Sequence, residues 1–310
     1  MELFQELNIE KELQDSFVTV GVFDGVHLGH KYLMKRLIES ARKNRKSAGI
    51  VTFKNHPATV INPKFQPNFL TNLETKLDLL EATGVDFVAA ITFNSALAEF
   101  SAKDFLGLLK SELGMKGLVV GPDFQMGKNR EAGVDRLSAL GEEIGFTLEI
   151  IEVQEKSGTQ IRSTVVRNLI SVGDVKKAST MLGRPYSLQG CVITGMKRGR
   201  LLGFPTANLT INQDICIPAN GIYATVATVK GSRYPAATSV GTNPTFDGKE
   251  QTIETYILDF GEDIYGEKIS IEFFDRLRDE LSFENVDDLL VQMNVDVSAV
   301  RKLVKSGELQ

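Results

Sequence analysis

Apolar and polar positions in the first half of the chain alternate between two periods. FVTVGVF (Phe17–Phe23) is a continuous apolar, β-branched run and reads as a buried strand. It passes through a glycine-rich turn into KYLMKRLIESARKNRK, where Tyr32, Leu33, Leu37 and Ile38 recur at helical spacing. GIVTF (Gly49–Phe53) is the next strand, and LETKLDLLEATG predicts a helix ending at Gly84. FVAAITF (Phe87–Phe93) is again a strand. Ser101 and Asp104 form an S-x-x-D capping box for a helix running to Leu113. GLVVG (Gly117–Gly121), a helix over Val134–Ile144 and the strand FTLEIIEV complete this half. Strands and helices alternating at this spacing predict a parallel sheet covered on both faces.

The pattern then changes. IRSTVVRNLISVGD and VKKASTML read as helices, and GRPYS breaks the chain near Gly183. Beyond it come short strands joined by Gly, Pro and Asn: SLQGCVITG, FPTANLTI, GIYATVATVKG, YPAATSVG, TIETYILDF and KISIEFFDRL. A terminal helix over Val286–Val304 closes the chain. Clustered short strands predict a small antiparallel barrel or sandwich. The reading is α/β followed by β, in two domains, 1–183 and 184–310.

Composition narrows the chemistry. The 310 residues carry 35 Lys and Arg against 40 Asp and Glu, a net charge of −5. That balance supplies no long-range field for nucleic acid or an anionic membrane. The basic residues of the first helix, Lys31 to Lys46, read as a solvated face that biases its surroundings toward anions. No apolar stretch approaches the roughly 18–20 residues that span a bilayer. The first residues, MELFQELNIEKELQDS, lack the basic-then-apolar order of a signal peptide. Cys191 and Cys216 cannot build a disulfide framework and read as free packing thiols, so the cytoplasm is the expected compartment. Three histidines, His27, His30 and His56, are too few for histidine metal ligation.

Candidate chemistry sits where a strand meets a helix. GVFDGVHLGH (Gly21–His30) follows the first strand, at the end where open α/β sheets bind ligands. Gly21, Gly25 and Gly29 let backbone approach a ligand closely. His27 and His30, three residues apart, can point from the first helical turn toward one spot, beside the positive end of the helix dipole. This predicts a phosphate site with two imidazole donors. His56, before Pro57, fits ligand contact and a structural turn equally. GPDFQMGK (Gly121–Lys128) has five residues between its glycines and Asn129 after the lysine, so it is not a P-loop.

In the second half GFPTANL (Gly203–Leu209) is the sharpest feature. Thr206 and Asn208 share one face of a strand, with Ala207 on the other. Their oxygens suit Mg²⁺, and a structural turn is the alternative reading. The Gly195–Gly203 loop, with Lys197, Arg198 and Arg200, reads as a nucleotide cover or a solvated basic turn.

These motifs carry a resemblance. H-x-G-H after a first strand is similar to the nucleotidyltransferase signature. The longer Gly21–His30 motif resembles the FMN adenylyltransferase module of bacterial riboflavin kinase/FAD synthetase. TFKNHP (Thr52–Pro57), GPDFQMGKNREAG (Gly121–Gly133) and IRSTVVRNLISVGD (Ile161–Asp174) extend that likeness. P-T-A-N at Pro205–Asn208 resembles the riboflavin kinase signature. MKRGRLLGFPTANLTI, Gly221–Ala224, Ser239–Phe246, Thr252–Phe260 and IYGEKISIEFFDRLRDE carry this across the second domain. The resemblance runs from Phe17 to Val304. It implies a Rossmann-like nucleotidyltransferase domain, then an antiparallel β-barrel kinase domain with a terminal helix.

The resemblance also implies roles. His27 and His30 would hold the ATP phosphates at the reacting centre. Gly21, Phe23, Asp24, Gly25, Gly29, Asp123, Ser163, Thr164 and Arg167 would bind that nucleotide, Asp123 contacting either the nucleotide or the metal, and Phe53, Phe124 and Met126 would bind the flavin. In the kinase, Gly203, Pro205, Thr206 and Asn208 would bind nucleotide, Thr206 and Asn208 would hold Mg²⁺, and Glu254 would activate the ribityl hydroxyl. The implied partners are riboflavin, FMN, FAD and ATP, with no nucleic acid, membrane or obligatory protein partner. Two departures stand out. Met126 occupies the place of a second aromatic. Arg162 replaces the first serine of S-S-T, and its charge either sits beside the phosphates or points to solvent. Rival readings are a chain with only one active half, the adenylyltransferase weakened, and a non-catalytic flavin-binding regulator.

Overall fold

A computed structural model describes residues 6–7, 15–152, 155–156, 159–195, 199, 202–212, 214–245 and 248–309. The chain forms two compact units, Met1–Ser163 and Thr164–Gln310.

The first unit holds five parallel strands in the order β3-β2-β1-β4-β5: β1 Ser16–Val20, β2 Ser47–Phe53, β3 Phe87–Ile91, β4 Met115–Val120 and β5 Thr147–Ile150. The principal connecting helices are α1 Leu28–Lys43, α3 Leu73–Glu81, α5 Ala102–Leu113 and α6 Val134–Ile144. Two short helices that the periodicity did not announce, α2 Pro57–Ile61 and α4 Ser95–Ala98, lie in the connections after β2 and β3. A two-residue hairpin, β6 Glu155–Lys156 with β7 Thr159–Gln160, precedes the end of the unit. Packing follows the binary pattern. Val18, Leu106, Leu109 and Leu118 are fully buried on one side of the sheet, and Met34, Leu37 and Ile50 on the other. The Ser101 capping box forms as expected, with Asp104 N–H donating to Ser101 Oγ at 3.1 Å and Ser101 N–H to the Asp104 carboxylate at 3.3 Å. Strand β1 stops at Val20, three residues short of the apolar run, because Phe23 adopts a left-handed φ of 51° and turns the chain.

The strand order places the ligand end. The chain adds β2 and β3 on one side of β1, then returns to add β4 and β5 on the other. The crevice between β1 and β4 is therefore the topological switch point, flanked by the Gly21–His30 turn and the Gly121–Gly133 loop.

The second unit is a closed antiparallel barrel, β10-β11-β12-β9-β8-β13. Its strands are β8 Tyr186–Ile193, β9 Thr206–Thr210, β10 Gly221–Val229, β11 Ser232–Thr245, β12 Gly248–Ile257 and β13 Lys268–Arg278. Closure removes the sheet edges that a sandwich would leave open. Tyr186, Tyr223, Ile271 and Phe273 are among its fully buried side chains. Helices α7 Ser163–Ser171 and α8 Val175–Leu182 lead into this unit, and α8 contacts β13 and β8. The terminal helix α9, Val286–Lys305, lays Val300 on Ala224, Val226 and Leu258. The Arg278 guanidinium, at the end of β13, clamps Asp296 of that helix at 2.9 and 2.7 Å.

Candidate functional site

The turn after β1 is built by close backbone approach. A Cβ on Gly21 would lie 2.8 Å from the Phe23 ring, and Gly25 has φ +79° with Leu70 Cδ1 2.6 Å from where its Cβ would be. Asp24 is buried, and its carboxylate accepts the Leu70 N–H at 2.9 and 3.0 Å and the Thr71 N–H at 3.3 Å. Gly25 N–H donates to Thr71 Oγ1 at 3.3 Å. The Ser163 hydroxyl donates to the Asp24 carbonyl at 2.9 Å. Asp24 and Ser163 thus shape the turn.

His27 caps α1: its Nδ1 accepts the His30 N–H at 3.2 Å. An accepting Nδ1 carries no proton, so the neutral ring is protonated on Nε2. The His30 ring stacks on His27, with centroids 3.6 Å apart and planes at 16°. Phe23 meets the other side of His30 edge-on at 5.2 Å. Burial, and then the neighbouring His27, push His30 well below its ordinary 6.5, so it is neutral near pH 7. The two donors expected from sequence are brought together as a stacked pair beside Gly29.

Phe53, at the end of β2, and Phe124, in the loop after β4, are half-buried and pack on the apolar cluster that contains Met126. Met126 itself is 8% exposed, drawn inward by a two-way backbone pairing with Ala132 at 3.0 and 3.1 Å. Asp123 is exposed, and Arg162 NH2 pairs with its carboxylate at 2.7 Å. That contact decides where the unusual arginine goes. Thr164 is exposed and Arg167 half-buried on α7, both within the second unit. His56 caps α2, accepting the Ala58 N–H at 3.1 Å, and stacks on Phe65 at 4.9 Å, so it has a structural part in that turn. Lys76 was missed. It is 6% exposed on α3 and donates from Nζ to the Phe53 carbonyl at 2.6 Å. In LETKLDLLE nothing separates it from a solvated lysine.

In the barrel, exposure alternates along β9: Thr206 and Asn208 are partly open, Ala207 and Leu209 buried. Register sets Asn208 directly opposite Glu254, and Thr206 opposite Tyr256, on β12. Thr206 Oγ1 donates to Glu254 Oε2 at 3.2 Å. Three oxygen-bearing side chains from two strands therefore share one face. Tyr256 stands on that face as well, edge-on to Phe204 at 5.1 Å, an aromatic wall that parity from Glu254 could have indicated. A side chain at Gly195 would collide with the Asn208 amide, so the backbone at Gly195 lies directly against it. Gly203 has φ +82°. Lys197, Arg198 and Arg200 lie outside the described residues.

Comparison with known proteins gives both units a context. The FAD synthetase family model matches residues 9–165, and the riboflavin kinase family model matches residues 182–304. The chain belongs to the bifunctional riboflavin kinase/FMN adenylyltransferase family. The family member of Listeria monocytogenes is 36% identical over 92% of this chain and 91% of its own. That of Haemophilus influenzae is 33% identical over 99% and 100%. A solved structure described as a macrolide-efflux protein from Streptococcus pneumoniae superposes with a TM-score of 0.87 at 32% identity, over 95% of this chain and 97% of that one. Among the described residues no helix is long and apolar enough to cross a membrane. The stacked histidines thus fall in the FAD synthetase domain of this family member, and Thr206, Asn208 and Glu254 in its riboflavin kinase domain.

Proposed function

We propose that this chain phosphorylates riboflavin to FMN with ATP, then adenylylates FMN with a second ATP to give FAD and pyrophosphate. One observation carries the reading: each matched domain contains its own phosphate-chemistry constellation, the His27–His30 stack in one and the Thr206–Asn208–Glu254 face in the other.

In the kinase, the terminal ribityl hydroxyl attacks the γ-phosphate, and ADP leaves. Glu254 accepts the hydroxyl proton, and the Thr206 hydroxyl holds that carboxylate in orientation. A carboxylate is a feeble base for an alcohol. The loose transition state of phosphoryl transfer makes orientation matter more than early deprotonation. The donor set beside it, a hydroxyl and an amide oxygen on one face, fits Mg²⁺ held by Thr206 and Asn208. When bound, Mg²⁺ neutralises charge on the ATP phosphates. Gly203 and Pro205 lead the chain into this face and complete the nucleotide contact.

In the adenylyltransferase, an FMN phosphate oxygen bonds to the α-phosphorus of ATP as the bond to pyrophosphate breaks. No protein nucleophile is needed, so catalysis is positioning and charge stabilisation. His27 and His30 donate to the phosphates. Gly21, Gly25 and Gly29 allow the close approach, and Phe23 and Asp24 fix the turn. Ser163, Thr164 and Arg167 serve the β- and γ-phosphates, and Asp123 the nucleotide. Phe53, Phe124 and Met126 form the flavin side. The boundary between the two activities is placed at 183. The partners are riboflavin, FMN, FAD and ATP alone, and the thiols Cys191 and Cys216, neither of them in a disulfide, suit a reducing cytoplasm.

The test is to incubate the pure chain with riboflavin, ATP and Mg²⁺ and resolve the flavins chromatographically. FMN followed by FAD is expected; absence of both overturns the reading. The Arg162–Asp123 pair favours a second reading, in which only the kinase half turns over. Supplying FMN directly separates the two, because FAD then fails to form while FMN production persists.

A further inference from the structure

Lys76 lies outside every motif above, yet its position is unusual. A lysine 6% exposed to solvent is rare, because an ammonium loses strong hydration on burial. This one belongs to α3, whose N-cap, Asn72, accepts the Thr75 N–H at 2.8 Å. The residues just before that cap are the ones stitched to the Gly21–His30 turn. Leu70 and Thr71 donate to the Asp24 carboxylate, and Thr71 accepts from Gly25. One turn into the helix, Lys76 reaches back to the Phe53 carbonyl at the end of β2. Thr52, its neighbour on that strand, donates to the Val22 carbonyl at 3.3 Å. The helix start is thus tied at two points, to the histidine-bearing turn and to the strand end that carries Phe53.

We propose that Lys76 is a positioning residue for adenylyl transfer, holding the Phe53 end of β2 in register with the Gly21–His30 turn. The inference rests on the adenylyltransferase reading given above. The two substrates of that reaction approach from these two elements: ATP at the histidine turn, FMN at Phe53. In-line attack needs the FMN phosphate placed on the α-phosphorus, and a misplacement of about 1 Å costs roughly a hundredfold in rate. A buried side chain that reaches one element from a helix anchored to the other can set that distance without touching either substrate.

The experiment compares Lys76→Met, Lys76→Arg and Leu80→Ala in the full chain. Leu80 is fully buried on the same helix, in the apolar cluster that also holds Phe23 and Val26, so its truncation loosens packing at the turn while leaving the Lys76–Phe53 tie in place. FMN adenylylation is measured from supplied FMN and ATP, at a temperature where thermal melts show each variant folded. Riboflavin phosphorylation serves as the internal control. For Lys76→Met the kcat of adenylylation is expected to fall about tenfold to a hundredfold, with the KM values for FMN and ATP within about threefold. Phosphorylation is unchanged, Lys76→Arg recovers part of the loss, and Leu80→Ala retains kcat despite a lower Tm. If Lys76→Met keeps kcat within twofold, or if Leu80→Ala loses as much, the proposal is overturned. Wild-type chain that makes no FAD instead refutes the adenylyltransferase reading itself.

Discussion

Burial pushes the Lys76 ammonium down from 10.5 to about 8, against the opposing pull of the Asp24 carboxylate. Each pKa unit corresponds to about 1.36 kcal/mol between the two protonation states, so charging Lys76 in the folded chain costs about 3 kcal/mol. The sign follows from proton counting. Between the two values the unfolded chain binds a proton that the folded chain does not, so stability rises with pH across that window. Below about pH 8 both states are charged and the whole cost is present; above 10.5 both are neutral and it vanishes. Moving from about pH 7.5 to about pH 10 should therefore recover about 2 kcal/mol in the wild type and nothing in Lys76→Met. The chain has no tryptophan, so Phe100→Trp gives the first unit its own fluorescence signal in guanidinium unfolding. Groups common to both proteins, tyrosines and surface lysines included, cancel in the difference between the two pH slopes. A difference under about 0.5 kcal/mol, or one of opposite sign, refutes the argument that Lys76 is held as a costly buried cation.

Three further outcomes are expected. Asp296→Ala leaves the half-buried Arg278 guanidinium without its carboxylate and should destabilise the barrel unit by roughly 1–3 kcal/mol, read as a lower Tm; a shift within about 0.5 kcal/mol counts against the clamp. Arg162→Ser releases Asp123 from an exposed ion pair: stability should stay within about 0.5 kcal/mol while FAD formation from FMN rises severalfold, and a fall in rate would contradict this. Asn208→Ala should lower riboflavin phosphorylation by roughly a hundredfold or more and spare adenylylation, with His30→Ala doing the reverse; parallel loss of both activities in either variant would break the assignment of separate sites.

Local sequence determined much of this molecule because its physics is local. Period 2 against period 3.6 separated strands from helices, Ser101 and Asp104 capped their helix, and strand parity put Thr206 and Asn208 on one face. The motif at Gly21–His30 already located the two imidazoles, since a helix start places residues three apart on one side. Distances across the chain were a different matter. Whether the late strands closed into a barrel or stacked as a sandwich depended on pairing β10 with β13, which lie about forty residues apart in sequence. Strand order, and with it the switch-point crevice, is likewise a property of the assembled sheet.

The same distinction runs through individual side chains. Glu254 faces Asn208 only because β12 and β9 pair in that register. Arg162 finds Asp123 across 39 residues of chain, and His56 turns inward to cap α2 and stack on Phe65. Lys76 is the sharpest case. Its sequence neighbours describe an amphipathic helix on which a lysine belongs in water. Only the assembled fold sets it against a strand-end carbonyl and a buried carboxylate, and burial is a sum over everything packed around a residue, which no local window contains.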